Sequence, residues 1–200
     1  LSPRTSLAHS VWIDDADIAL IATTGATLIL NPVSNLRLGS GLALILKCLK
    51  ARLNVFFGCD GAASNDAQNL LEAIKLGTIL HTVSDGDYEN WITPERAIEM
   101  ATVGGAKGVN LSDRTGTIAA GMEADLVLYN LNHPSMLPRT NPLQLLVLGR
   151  PTEVVESVWI RGQQIADRGR VLTVDTDALH QALRQHSLDL ERAKFQHRFG

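Results

Sequence analysis

The stretch V-F-F-G-C-D-G-A-A-S-N-D, residues 55–66, decides how the chain is read. Its apolar run gives way to small and polar residues, so Val55 to Cys59 reads as a buried strand with Asp60 at its carboxyl end. In parallel α/β architectures, and above all in barrels, catalytic residues gather at that end of the strands. A carboxylate there can bind a metal or take a proton. One acid is not a metal site, however, because catalytic zinc needs about three protein ligands. The chain supplies few partners for it.

Working outward, strand and helix alternate through residues 1–85, the pattern of βα units on a parallel sheet. Leu7 to Trp12 (L-A-H-S-V-W) is a short strand candidate. Asp14 or Asp15 caps the helix that follows, and Gly25 ends it. Thr27 to Leu30 is the second strand, and Asn31 to Gly41 (N-P-V-S-N-L-R-L-G-S-G) reads as a turn-rich loop. A helix over Leu42 to Ala51 leads to the third strand, Asn54 to Cys59, and a further helix is expected from about Ala67 to His81. Thr93-Pro94 opens another helix, with threonine as cap and proline in the first turn, where a missing N–H costs nothing. After Asn110 the composition shifts to turns and short strands, and residues 154–174 read as a hairpin with Arg161-Gly162 at its turn. A polar amphipathic helix from Thr176 to about Arg192 closes the chain.

The bulk properties exclude several classes. Hydrophobic content of 45% over 200 residues is enough for a core, and the net charge of −3 is spread over both signs. No basic stripe points to nucleic acid. No apolar run reaches the ~18 residues of a membrane span. The start, L-S-P-R-T-S, has no signal-peptide core and no Met, so the chain is expected to begin within a longer protein. Cys48 and Cys59 form no C-x-x-C pair, and a reduced, cytoplasmic setting is expected, with both thiols packing as small hydrophobes. Three βα units are about three-eighths of a barrel of ~250 residues. A three-stranded parallel sheet also leaves two raw edges. Association is therefore expected, as a homo-oligomer or with a missing N-terminal part.

Three segments, in order, resemble the metal-dependent amidohydrolase superfamily, in its branch of aminohydrolases and chlorohydrolases acting on purines, pyrimidines and triazines. L-A-H-S-V-W is similar to the family's sixth barrel strand with its active-site histidine. N-P-V-S-N-L-R-L-G-S-G followed by G-C-D-G-A-A-S-N-D is similar to the loop after strand seven and the metal-binding aspartate of strand eight. G-T-I-A-A-G-M-E-A-D-L-V-L-Y with V-W-I-R-G-Q-Q-I-A-D-R-G resembles the small β domain beside the barrel.

The resemblance implies an α/β fold: the C-terminal part of a (β/α)8 barrel, about strands six to eight, with part of a small β-sandwich domain and a C-terminal helix. Residues 1–110 would be the partial barrel, 111–174 the β segment, and 175–200 the helix and tail. Asp60 would bind a divalent metal, zinc, and accept a proton from the water it activates. His9 would orient that water or stabilise charge. The substrate would be a small aminoheterocycle. The family's H-x-H pair, its strand-five histidine and the neighbouring acid are absent and would precede Leu1. Leu30 stands where many relatives carry histidine, and Cys59 where G-T-D-G has threonine. The isolated chain is therefore expected to be inactive. The alternative is a non-catalytic fragment or subunit that pairs through its sheet edges.

Other readings stay open beside these. A lone histidine in an apolar strand, such as His9, is often a hydrogen-bonded core residue. An aspartate before glycine, such as Asp60, often bonds its own turn. Asn31, Ser34 and Asn35 could line a substrate pocket or make Asx-type turns. Asn65 and Asp66 read as a cap for the next helix, Asp125 as a turn anchor, and Trp12, Trp91 and Trp159 as packing residues. His180, His186 and His197 lie on a polar helix and read as solvated.

Overall fold

Asp14 and Asp17 close a capping box: each backbone N–H reaches the other's carboxylate, at 3.1 and 2.9 Å. Helix α1 (Asp15–Thr24) starts there and ends at Gly25, whose left-handed φ of 70° lets the chain turn back into a strand. This computed structural model describes residues 1–199, with side chains described for residues 1–192. His197, expected on the solvated face of the last helix, and the tail residue Gly200 fall outside those limits.

Strands β1 (Ser6–Ala8), β2 (Thr27–Leu30) and β3 (Asn54–Phe57) form one parallel sheet in the order β1-β2-β3. Leu7 is paired with Leu28, and Leu28 with Val55, so the carboxyl ends of all three lie on one side. The first strand is shorter than the L-A-H-S-V-W reading. His9 and Ser10 turn into left-handed backbone, φ 65° and 49°, which ends the pairing.

The expected loop after β2 contains helix α2 (Pro32–Arg37). Pro32 at its first position lacks only an N–H that the helix would leave unpaired anyway. Helix α3 (Ile45–Lys50) then leads into β3. Helix α4 (Leu70–Ile79) is capped by Asn69, not by Asn65 or Asp66, and runs on into a 3-10 turn at Leu80–Val83. Helix α5 (Pro94–Glu99) has Thr93 as its cap, as expected, and continues through a π-helical turn at Met100–Gly104 into α6 (Gly105–Gly108).

One core cluster gathers residues such as Ile21, Leu28, Leu30, Ile45, Val55 and Ile74 around the parallel sheet. Glycines let helices approach it closely. A Cβ at Gly77 would stand 2.3 Å from Phe57 Cε1, and one at Gly108 2.2 Å from Phe56 Cε1. Helix α7 (Pro142–Gly149), whose apolar run has no clear helical period, sends Val147 into this core and Leu146 into a second, smaller cluster with Met136 and Val154.

The second sheet is antiparallel, β4 (Leu126–Tyr129), β5 (Val155–Ile160), β6 (Gln163–Asp167) and β7 (Arg170–Val171), in sequence order. Its hairpin turns at Arg161-Gly162 and Arg168-Gly169 have positive φ at both residues, the conformation that matches the twist of paired strands. Asp125 anchors the first turn, accepting the Arg161 N–H at 2.8 Å and the Thr115 hydroxyl at 3.1 Å. Helix α8 (Thr176–Phe199) ends the described chain. No helix among the described residues is long and apolar enough to cross a membrane.

Candidate active site

His9 follows β1 directly, and its N–H still bonds the Ile29 carbonyl at 2.9 Å, which fixes it against the central strand. Beyond β3, Gly58 donates its N–H to the Leu30 carbonyl at 2.9 Å before the chain turns at Asp60. Both side chains therefore leave from the carboxyl ends of strands in one sheet. They meet: His9 Nε2 lies 3.7 Å from Asp60 Oδ2.

The first turns of α2 complete the cluster. The Ser34 hydroxyl donates to Asp60 Oδ2 at 2.5 Å, and Asn35 Oδ1 lies 2.7 Å from His9 Nδ1. On the other carboxylate oxygen, the Gly61 N–H donates to Oδ1 at 2.7 Å. The Gln68 amide bridges the Asp60 carbonyl at 2.9 Å and the Asn65 carbonyl at 3.1 Å, bracing the turn from behind. Four of the five residues singled out in the sequence are thus joined by hydrogen bonds or a close polar contact. Asn31 stands apart from them. It is buried, with its side chain packed over Gly58, where any Cβ would meet Asn31 Oδ1 at 2.4 Å.

Asp60 is held below the usual carboxylate range, first by the Ser34 hydroxyl, then by the Gly61 amide and the Ser64 hydroxyl, with His9 adding a smaller pull. It is ionised at neutral pH and about one-third exposed, 32%. Cys59 beside it is raised, by burial and by the charge of Glu72. His9 and Asp60 both turn the chain through positive φ, 65° and 61°, a conformation that histidine and aspartate adopt more readily than most residues. Trp12, read as a packing residue, is instead 86% exposed.

These donors do not make a metal site by themselves. Among the described residues no group of three His, Cys, Asp or Glu side chains could hold an ion. The larger concavities lie elsewhere. One of about 440 Å³ opens beside Arg114, Glu123, Asp125 and Arg161. Its charges are spent on one another, Glu123 taking both arginines and Asp125 holding the hairpin turn, so it is a structural joint.

The chain belongs to the amidohydrolase family, whose model matches residues 1–165. It is 38% identical over 172 residues to a 5-methylthioadenosine/S-adenosylhomocysteine deaminase of Desulforudis audaxviator, covering 86% of this chain and 40% of that protein. It is 33% identical over 188 residues to a 5'-deoxyadenosine deaminase of Methanosarcina acetivorans, covering 94% of this chain and 43% of that one. Among solved structures, an adenosine deaminase from Xanthomonas campestris with bound zinc superposes with a TM-score of 0.89 at 29% identity, over 96% of this chain and 43% of the other. An atrazine chlorohydrolase from Arthrobacter aurescens complexed with zinc gives 0.84 at 28% identity, over 90% of this chain and 40% of the other. The chain thus spans about 40% of the length of the curated relatives it matches.

Proposed function

We propose that this chain carries the Asp60–His9 part of a metal-dependent hydrolytic deaminase acting on an adenine-type aminoheterocycle. The observation that carries the reading is the convergence of His9 and Asp60, 3.7 Å apart, at the same end of one parallel sheet. The names of the relatives, adenosine-type deaminases, support the choice of leaving group over the chloride of the chlorohydrolase neighbour.

Hydrolytic deamination adds the oxygen of water to a ring carbon and expels ammonia. A base must take a proton from the water, and an acid must return one to the departing nitrogen. Asp60, ionised and partly open to solvent, suits both steps in turn. His9 faces the same space and would hold the entering oxygen. A divalent metal, zinc in the two structural neighbours, supplies Lewis-acid activation of water when bound. Asp60 would be its ligand from this chain, and the other ligands would come from outside these 200 residues. In this reading β1, β2 and β3 are strands six to eight of a (β/α)8 barrel within residues 1–110. Residues 111–174 then belong to a small β domain, except that α7 packs on the barrel core, residues 175–200 are the closing helix and tail, and the isolated chain is inactive. Asn31, Ser34 and Asn35, expected to line the substrate, present buried side chains, and in this reading they support the site from behind.

The test is a chimera in which this chain replaces the matched region of the Desulforudis audaxviator deaminase. The isolated chain should release no ammonia from 5-methylthioadenosine or adenosine, whereas the zinc-loaded chimera should. Asp60→Asn should lower turnover by about 10²–10⁴-fold, the usual worth of a general acid–base. A folded, zinc-binding chimera that is inactive, or that is indifferent to Asp60→Asn, would overturn the reading. One observation favours a second reading, a non-catalytic subunit: β1 is an edge strand, paired on one side only among the described residues. That reading predicts the inactive chimera.

A further inference from the structure

Ser34 and Asn35 are consecutive residues on α2, and each grips one member of the candidate pair. Both side chains are almost fully buried, at 1% and 2% exposure. Their backbone is fixed at each end: the Asn35 N–H bonds the Asn31 carbonyl at 3.0 Å, and the Asn35 carbonyl takes the Ser40 N–H at 2.8 Å. Since α2 follows the central strand β2 directly through Asn31, the grip is tied to the rigid middle of the sheet.

Donor and acceptor chemistry then dictates the proton positions. An amide oxygen carries no proton, so a bond between Asn35 Oδ1 and His9 Nδ1 requires the proton on Nδ1. In neutral imidazole this leaves Nε2 with a lone pair, and that lone pair faces Asp60 Oδ2 at 3.7 Å. An ionised carboxylate only accepts, so the Ser34 hydroxyl must donate to Oδ2. With the Gly61 N–H on Oδ1, the rotation of the carboxylate is fixed. Two acceptors therefore converge on one point, arranged to receive a group that brings donors of its own, such as water.

We infer that Ser34 and Asn35 are positioning residues: Asn35 holds His9 as the Nδ1–H tautomer with its Nε2 lone pair turned toward Asp60, and Ser34 locks the Asp60 carboxylate. Neither side chain binds substrate. The consequence for turnover rests on the deaminase reading above, but the tautomer does not.

The decisive experiment is long-range proton–nitrogen NMR of the histidine-labelled chain, above the pH at which imidazole titrates, with His9→Gln to assign the signal. Wild-type His9 should be the Nδ1–H tautomer. Asn35→Leu, of similar volume, should switch it to Nε2–H, and Asn35→Asp, which keeps an acceptor oxygen, should preserve it. An Nε2–H tautomer in the wild type would overturn the inference, whatever the variants do. So would a tautomer unchanged in a folded Asn35→Leu chain. In the active chimera, Ser34→Ala and Asn35→Leu should lower kcat by about 10–100-fold, as loss of a partner that orients a histidine or carboxylate commonly does. KM should stay within about two-fold, since removing uniform substrate binding would instead raise KM at constant kcat. That raised KM would overturn the inference. An inactive chimera would sink the deaminase reading while the tautomer still decides this one.

Discussion

His81 shows at the scale of one residue how burial sets a pH dependence. It is 5% exposed, and its Nε2 has no hydrogen-bond partner among the described residues. Burial pushes its pKa from 6.5 down to about 4. The unfolded chain therefore takes up a proton below the ordinary histidine pKa while the folded chain refuses it. Stability contributed by this residue is full above about pH 6.5 and is lost as the pH falls toward 4, by up to roughly 3 kcal/mol. Urea unfolding at neutral pH and near pH 4.5 should show the loss in the wild type, and His81→Leu should shrink the difference between the two pH values. An equal pH slope in both would exclude His81 as its source. The close glycines give a second prediction. Gly77→Ala would drive a methyl against the buried ring of Phe57, and Gly108→Ala against Phe56. Each should cost about 1–3 kcal/mol in urea unfolding, the usual penalty of overpacking. Variants as stable as wild type would mean that these rings have room to move.

At the scale of elements, three helices start on the same two-residue signal. Thr93-Pro94 opens α5, Asn31-Pro32 opens α2 and Asn141-Pro142 opens α7. The first was legible in the sequence because threonine as cap and proline in the first turn together mark a helix start. The second is a short helix followed closely by Gly39 and Gly41, which make the whole segment read as loop, and the third lies in an apolar run with no clear period. Strand existence was legible throughout the parallel sheet, and so were both ends of β2 and the start of β3, but the ends of β1 and the carboxyl end of β3 were not. The left-handed turns at His9 and Asp60, which cut β1 and β3 short, are tertiary choices that no local propensity announces. The same holds for the site. His9 and Asp60 stood out by their place after apolar strands. The attachment of Ser34 to Asp60 and of Asn35 to His9 joins residues far apart in sequence, and no spacing rule reaches that far. Helix α4 carries Gly77 against β3 and depends on the Asn69 cap, whose side chain accepts the Leu71 N–H at 3.0 Å. Asn69→Ala should cost about 1 kcal/mol of stability, measured by thermal or urea unfolding. No loss would show that packing alone fixes the start of α4.

At the scale of the whole molecule, the described fold is a parallel sheet with an edge strand at each side and a set of catalytic-type residues too small to hold a metal. In the function proposed above, the remaining metal ligands come from further polypeptide. Sedimentation at micromolar concentration should show association, because an edge strand offers unpaired N–H and C=O groups to another chain. A stable monomer at all concentrations would favour an edge blunted by its own charged residues. Membership of Asp60 in a hydrolytic metal centre is best checked by anomalous scattering at the zinc edge from crystals of the zinc-loaded chimera. An anomalous peak is expected about 2.0–2.2 Å from an Asp60 carboxylate oxygen, the normal zinc–oxygen distance. A fully occupied zinc bound elsewhere, with Asp60 still held only by Ser34 and Gly61, would contradict it.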